Sequence, residues 1–254
     1  MKKQTKLDTF KEKLKVLIPD VENYEFFHAK GDEFNKKLKA FSVELGEKWM
    51  ASNYTDFNWY RHKDYLIECA WTHVVSSGGA VDNMIKYFNS IIPDQKVTVL
   101  DVYNGMGLST LEIAQRMNAS TFYFNDVLLQ YEACGRLMRE YNITSIAYKT
   151  IPDFGKYDIV LCLETLEHYF SPMEFTRLLM NMSKEYLVET TSFCSPQHYG
   201  HFKEYDINGR IVNGMTASRK VHDLIRTEFV QVFSGFNGRP RIWKRKPTNN
   251  LLEM

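Results

Sequence analysis

The four cysteines, Cys69, Cys134, Cys162 and Cys194, stand far apart and form no CxxC pair. That spacing argues against a structural zinc site and against a disulfide framework. They read as reduced thiols, and a cytoplasmic protein is expected. No run of about 18 apolar residues occurs, so no membrane span is expected. The opening MKKQTKLDTFKEK is basic, but no apolar core follows it, which is not the make-up of a secretory leader. Basic and acidic side chains nearly cancel, 32 against 31, so no global field recruits nucleic acid or anionic membrane. No internal repeat or low-complexity tract is visible. No phosphate-cradling GxxxxGKS or GxxxxGKT loop is present.

What is there suits a globular α/β protein. At 254 residues the chain fits one large domain, or one domain with an appendage. Aromatic residues make up 14%, enough for rings to line a pocket as well as fill a core. The first 90 or so residues read as mostly helical, with Phe34, Leu38, Phe41, Leu45 and Trp49 at helical spacing. SNYTDFNWYRHKDY reads as a loop between helices. Its rings, Tyr54, Phe57, Trp59 and Tyr60, either tuck under that loop or form a lid, with Arg61 beside them to meet a carboxylate.

From Val97 the pattern alternates between strand and helix. Strands are predicted at 97–102, 121–124, 146–148, 157–163 and 186–190. A closing hairpin of 229–233 and 239–244 follows. Intervening helices are predicted to about Met117, from about Leu129 to Tyr141, from after Glu164 past Pro172, broken or re-initiated there, to about Met182, and over 217–227. This alternation implies a doubly wound, mostly parallel sheet with ligands at the strands' carboxyl ends. VTVLDV ends in Asp101 and runs into Tyr103, Asn104, Gly105, Met106 and Gly107 before a helix. Glycines permit positive φ and a close ligand approach, and a helix start offers free N–H groups. Asp101 suits a ligand's ammonium better than a phosphate.

The stretch Asp101 to Gly107, the acid Asp126 after the second strand, YDIVLCLETLEH (157–168), HFKEY (201–205) and the closing hairpin together resemble the class I S-adenosylmethionine-dependent methyltransferases. The resemblance covers roughly residues 80–246. It implies a Rossmann-like, doubly wound, seven-stranded, mostly parallel sheet with a reversed last strand. Residues 80–254 would form this domain, and residues 1–79 an N-terminal helical cap. It implies S-adenosyl-L-methionine as cofactor, with Asp126 on the ribose hydroxyls. Asp101, Tyr103, Asn104, Gly105, Gly107, Val127, Leu163 and Glu164 would complete the cofactor site. Tyr103 stands where the family usually has glycine. No clear acid follows the third strand, where Asp153 is the nearest.

His168, His201 and Glu167 are the catalytic candidates the resemblance implies, with His198 and Glu164 near them. Glu164, Glu167 and His168, at i, i+3 and i+4, are predicted to share one face of a helix start. The pattern also resembles the E-x-x-E-H metal arrangement of small-RNA 2′-O-methyltransferases, but no metal is expected. Base methylation is disfavoured, because LETLEH replaces the D/N/S-P-P-Y/F motif and no Pro-Cys nucleophile occurs. Arg239, Arg241, Lys244, Arg245 and Lys246 read as alternating charges on a terminal edge strand. The expected activity is methyl transfer to a small molecule, sugar or metabolite. The alternatives are a metal-assisted RNA 2′-O-methyltransferase and a non-catalytic binding module of the same fold. A small-molecule partner is expected, with nucleic acid disfavoured and no membrane.

Overall fold

The computed structural model describes residues 6–73, 78–92, 97–103, 105–117, 121–125, 128–143, 146–148 and 156–247. Five helices come first: α1 (Lys6–Leu17), α2 (Glu25–His28), α3 (Gly31–Ala51), α4 (Lys63–Thr72) and α5 (Gly78–Ile91). In α3 the predicted stripe is the buried one: Phe34, Leu38, Leu45 and Trp49 are at most 2% exposed. Between α3 and α4 the segment read as a loop holds a 3-10 turn, Phe57–Arg61, opened by the Asp56 carboxylate accepting the Asn58 N–H at 3.1 Å.

The sheet begins with β1 (Thr98–Val102), then α6 (Leu108–Arg116), β2 (Thr121–Asn125), α7 (Leu128–Glu140), β3 (Ile146–Tyr148) and β4 (Tyr157–Leu163). It continues with α8 (Pro172–Met182), β5 (Ser183–Thr190), a small hairpin of β6 (Glu204–Asp206) and β7 (Ile211–Asn213), α9 (Gly214–Glu228), β8 (Phe229–Ser234) and β9 (Arg241–Arg245). Seven strands pair in the order β3-β2-β1-β4-β5-β9-β8. β1 to β5 run parallel, while β9 is antiparallel to both β5 and β8.

Side-chain alternation assigns the faces. Val99, Ile159, Leu161, Tyr186, Val188 and Ile242 pack on one side against Val81, Met84, Ile85 and Phe88 of α5. Leu100, Val102, Val160, Cys162, Leu187 and Trp243 face the other side, where α8 and α9 lie. A strand buried on both faces is what a sheet sandwiched by helices requires. The N-terminal helices have a third core, in which Leu14, Leu17, Leu38 and Ile67 meet Leu111 of α6 and Leu137 of α7.

Three local readings are corrected. The helical stretch predicted after Glu164 is only a 3-10 turn, Leu166–His168, and Glu164 itself is left-handed, with φ 51°. The α-helix begins at Pro172, the predicted point of break or re-initiation, where the missing N–H costs nothing in a first turn. Arg241–Arg245 is not an edge strand, because β8 lies outside it. Its arginines are engaged, Arg241 with Glu189 and Arg245 with Glu228, and Lys244 pairs with Glu185. The β6–β7 hairpin was not predicted, although Asn208-Gly209, with φ of 54° and 82°, is the turn pair such hairpins favour.

Candidate active site

A cleft open to solvent lies at the carboxyl ends of β1, β4 and β5. At the β1 end, Asp101 is 2% exposed. Its Oδ2 accepts from the Thr110 hydroxyl at 2.7 Å, and its Oδ1 has no partner among the described residues. Burial pushes its carboxyl up to about 7, and the Thr110 hydrogen bond pulls the other way. Tyr103 keeps the left-handed backbone a glycine would supply, with φ 52°. That costs a residue with a Cβ roughly 1–2 kcal/mol. Its ring packs with Tyr169 and Phe175, at centroid distances of 6.0 and 5.7 Å.

The two glycines of the turn differ. Gly105 has φ 58° and lines the cleft. Gly107 does not line it: with φ 84°, it allows α7 to approach, because a Cβ there would run into Cys134. Gly107 thus has a packing role against Cys134. Met106, Leu108 and Ser109 continue the wall.

At the β4 end, Leu163 and Glu164 line the cleft beside Ser192. Glu164 accepts from the Ser192 hydroxyl at 3.0 Å and pairs with Arg239 at 3.4 Å. Arg239 also donates to the Thr191 carbonyl at 2.9 Å and to the Ser192 hydroxyl, so it acts as a clamp behind the cleft. Glu167 is fully buried and lies outside the lining, with its Oε1 accepting the Ser192 N–H at 2.8 Å. Burial, and then the Glu164 carboxylate, push its carboxyl well above the usual range. Placed there, Glu167 holds the segment after β5.

His168, His198 and His201 converge on one wall. The His168 and His201 ring centroids are 4.7 Å apart, and those of His198 and His201 are 5.5 Å apart. Burial, and then His198, lower His168 to about 4. Burial, and then the two other histidines, hold His201 well below its usual value. His201 Nδ1 is buried without a partner. Both imidazoles are therefore neutral at physiological pH.

The opposite wall is α4, which the sequence reading did not assign to the site: Tyr65, Glu68, Cys69, Trp71 and Thr72 face the cleft, followed by His73. The helical period that placed Leu66 and Ile67 in the core also put Glu68 and Thr72, four apart, on one face. Of the expected lid rings, none lines the cleft. Tyr60 reaches His168 from behind, Tyr54 and Trp59 pack on the core, and Phe57 is 48% exposed. Arg61 is exposed and outside the lining. Asn104, Asp126, Val127 and Asp153 lie outside the described residues. Among the described residues, no three of His, Cys, Asp or Glu are grouped so as to hold a metal ion.

No family model matches the chain, and no curated protein does. Solved structures similar to it include magnesium protoporphyrin IX methyltransferase from Synechocystis PCC 6803 with bound SAH. That match has 15% identity and a TM-score of 0.49, and covers 78% of this chain and 100% of that one. Small RNA methyltransferase HEN1 matches at 14% identity and a TM-score of 0.49, over 66% of this chain and 25% of that one. The cyclase SpnF matches at 18% identity and a TM-score of 0.37, over 42% of this chain and 44% of its own. The strand order itself, with β9 antiparallel to both of its neighbours, is that of a doubly wound, mostly parallel sheet with one reversed strand. Among the described residues, no helix is long and apolar enough to cross a membrane.

Proposed function

We propose that the protein is an S-adenosylmethionine-dependent methyltransferase whose acceptor is a small molecule. The observation that carries this reading is the unpartnered Oδ1 of Asp101, buried at the end of β1 beside the glycine turn. A buried carboxylate oxygen without a donor is costly, and a ligand ammonium relieves it. Asp101, Tyr103 and Gly105 hold the amino-acid end of the cofactor, with Leu163 and Glu164 on its other side. Asn104, Asp126 and Val127 complete the site, Asp126 accepting from the ribose hydroxyls. No lysine or arginine is among the residues lining the cleft, as suits a ligand with net positive charge.

Bound there, S-adenosylmethionine supplies an electrophilic methyl whose C–S bond breaks as the acceptor bond forms, leaving a neutral thioether. The chain's own task is to place the acceptor in line and to take its proton. His201 Nδ1, neutral and unpartnered, accepts that proton. His168, fixed by Tyr60, orients the His201 ring. The N-terminal helices supply one wall of the cleft through α4.

The test is a methyl-transfer assay with labelled cofactor on a panel of small metabolites and on RNA, with and without Mg²⁺. Metal-independent labelling of a small molecule, lost in His201→Ala, supports the reading. Labelling of RNA alone, and only with the metal, overturns it.

A further inference from the structure

The cleft carries a second unsatisfied acid, from a helix outside the sheet. Glu68 of α4 is 5% exposed, and its Oε2 has no partner among the described residues. Its Oε1 lies 3.8 Å from His198 Nδ1. A second buried polar atom without a partner, Nδ1 of the 6%-exposed His201, belongs to the same lining. Tyr65, Trp71 and Tyr199 line the same cleft, with Tyr65 and Tyr199 ring centroids 5.6 Å apart. A buried carboxylate in a cleft that aromatic rings also line can hold an organic cation.

We propose that the acceptor is a small amine, docked as its ammonium on Glu68 with its apolar body among these rings; the nitrogen gives one N–H proton to His201 Nδ1, and its freed lone pair forms the C–N bond as the methyl's C–S bond breaks. The proposal rests on the methyltransferase reading, in which Asp101 is already taken by the cofactor's own ammonium. An anionic acceptor would face Glu68, whose nearest cationic group is His198, while Glu164 is offset by Arg239 and Asp101 by the cofactor's ammonium, and none of the described lining residues is a lysine or arginine. A nucleic-acid backbone would face the same field, and phosphate recognition rests on such cations.

The experiment is isothermal titration of the full chain with S-adenosylhomocysteine, then of the same protein with benzylamine, benzyl alcohol and benzoate. Benzylamine is expected to bind at least about tenfold tighter than the alcohol or the carboxylate. Glu68→Gln is expected to erase that preference, with the melting temperature and the S-adenosylhomocysteine affinity kept, and Glu68→Asp to restore part of it. Benzoate binding as tightly as benzylamine overturns the proposal, as does no benzylamine binding. Loss of S-adenosylhomocysteine affinity in Glu68→Gln also overturns it, by giving that carboxylate to the cofactor. Failure of S-adenosylhomocysteine to bind the parent protein, with the amine preference intact, overturns the cofactor reading alone.

Discussion

The Tyr60 hydroxyl and His168 Nδ1 share a hydrogen bond of 2.6 Å across 108 positions of sequence. This bond ties the N-terminal aromatic segment to the segment that follows β4. Gly200, with φ 81°, sits against both partners, and a Cβ there would run into the hydroxyl and the ring nitrogen.

Two substitutions test that junction. Tyr60→Phe should cost about 1 kcal/mol of stability, the usual net value of one hydrogen bond. It should also lower kcat more than it raises KM, because His168 loses its orientation. Gly200→Ala should cost more, about 1–3 kcal/mol, since it adds backbone strain to the clash. Chemical denaturation and steady-state kinetics of both variants are the measurements. Wild-type stability in Gly200→Ala would contradict the packing described.

Asp101 gives a pH dependence with a definite sign. Its carboxyl titrates near 7 in the folded chain, against an ordinary 3.8. Between those values the folded form holds a proton that the unfolded form has lost. Stability therefore falls as pH rises through this window, by up to roughly 4 kcal/mol if the acid ionises with nothing to pair it. Asp101→Asn should remove that slope and melt higher than wild type at pH 8 without ligand. In the proposed role the ligand ammonium needs the ionised acid, so cofactor affinity should rise from pH 6 to pH 8. Thermal melts and titrations across that range, on wild type and Asp101→Asn, check both signs.

Glu189 offers a test of the sheet away from the cleft. It is 1% exposed and meets both His222 Nε2 and Arg241 Nη1 at 3.1 Å. Burial pushes its carboxyl up, but His222 and Arg241 outweigh burial and hold it below the usual range. Arg241→Met should destabilise by about 3–5 kcal/mol, because it strands a buried charge. Replacing Glu189 by Leu as well should recover most of that loss. Denaturant midpoints of the single and double variants decide it. No recovery in the double variant would show that the arginine stem, and not its charge, holds the sheet.

The alternation of strands and helices after Val97 was legible because apolar runs in a doubly wound sheet are short, dense and punctuated. The α3 stripe was legible for the same kind of reason, since its period is unmistakable. Glu164 to His168 was not. The i, i+3, i+4 spacing fits a helix, but the helix needs a backbone that Glu164, at φ 51°, does not adopt. Spacing along the chain carries no information on dihedral angle at a strand end. The role of Gly107 was hidden similarly, because the atom it makes room for belongs to Cys134, in a different helix. Glu68 was missed because one acid in an amphipathic helix looks like any solvated charge until the facing wall is known. The Asn208-Gly209 turn was in plain view, and short flanking strands concealed it.

The central claim is that this fold still binds S-adenosylmethionine despite Tyr103 in the glycine position. Isothermal titration of the full chain with S-adenosylmethionine measures it most directly, with Asp126→Ala beside the wild type. The account predicts saturable one-site binding to the wild type, weakened by about 1–3 kcal/mol in the variant, whose missing carboxylate leaves the ribose hydroxyls unpaired. A wild-type protein that shows no saturable heat would contradict it and leave a binding module that has kept the sheet and lost the cofactor.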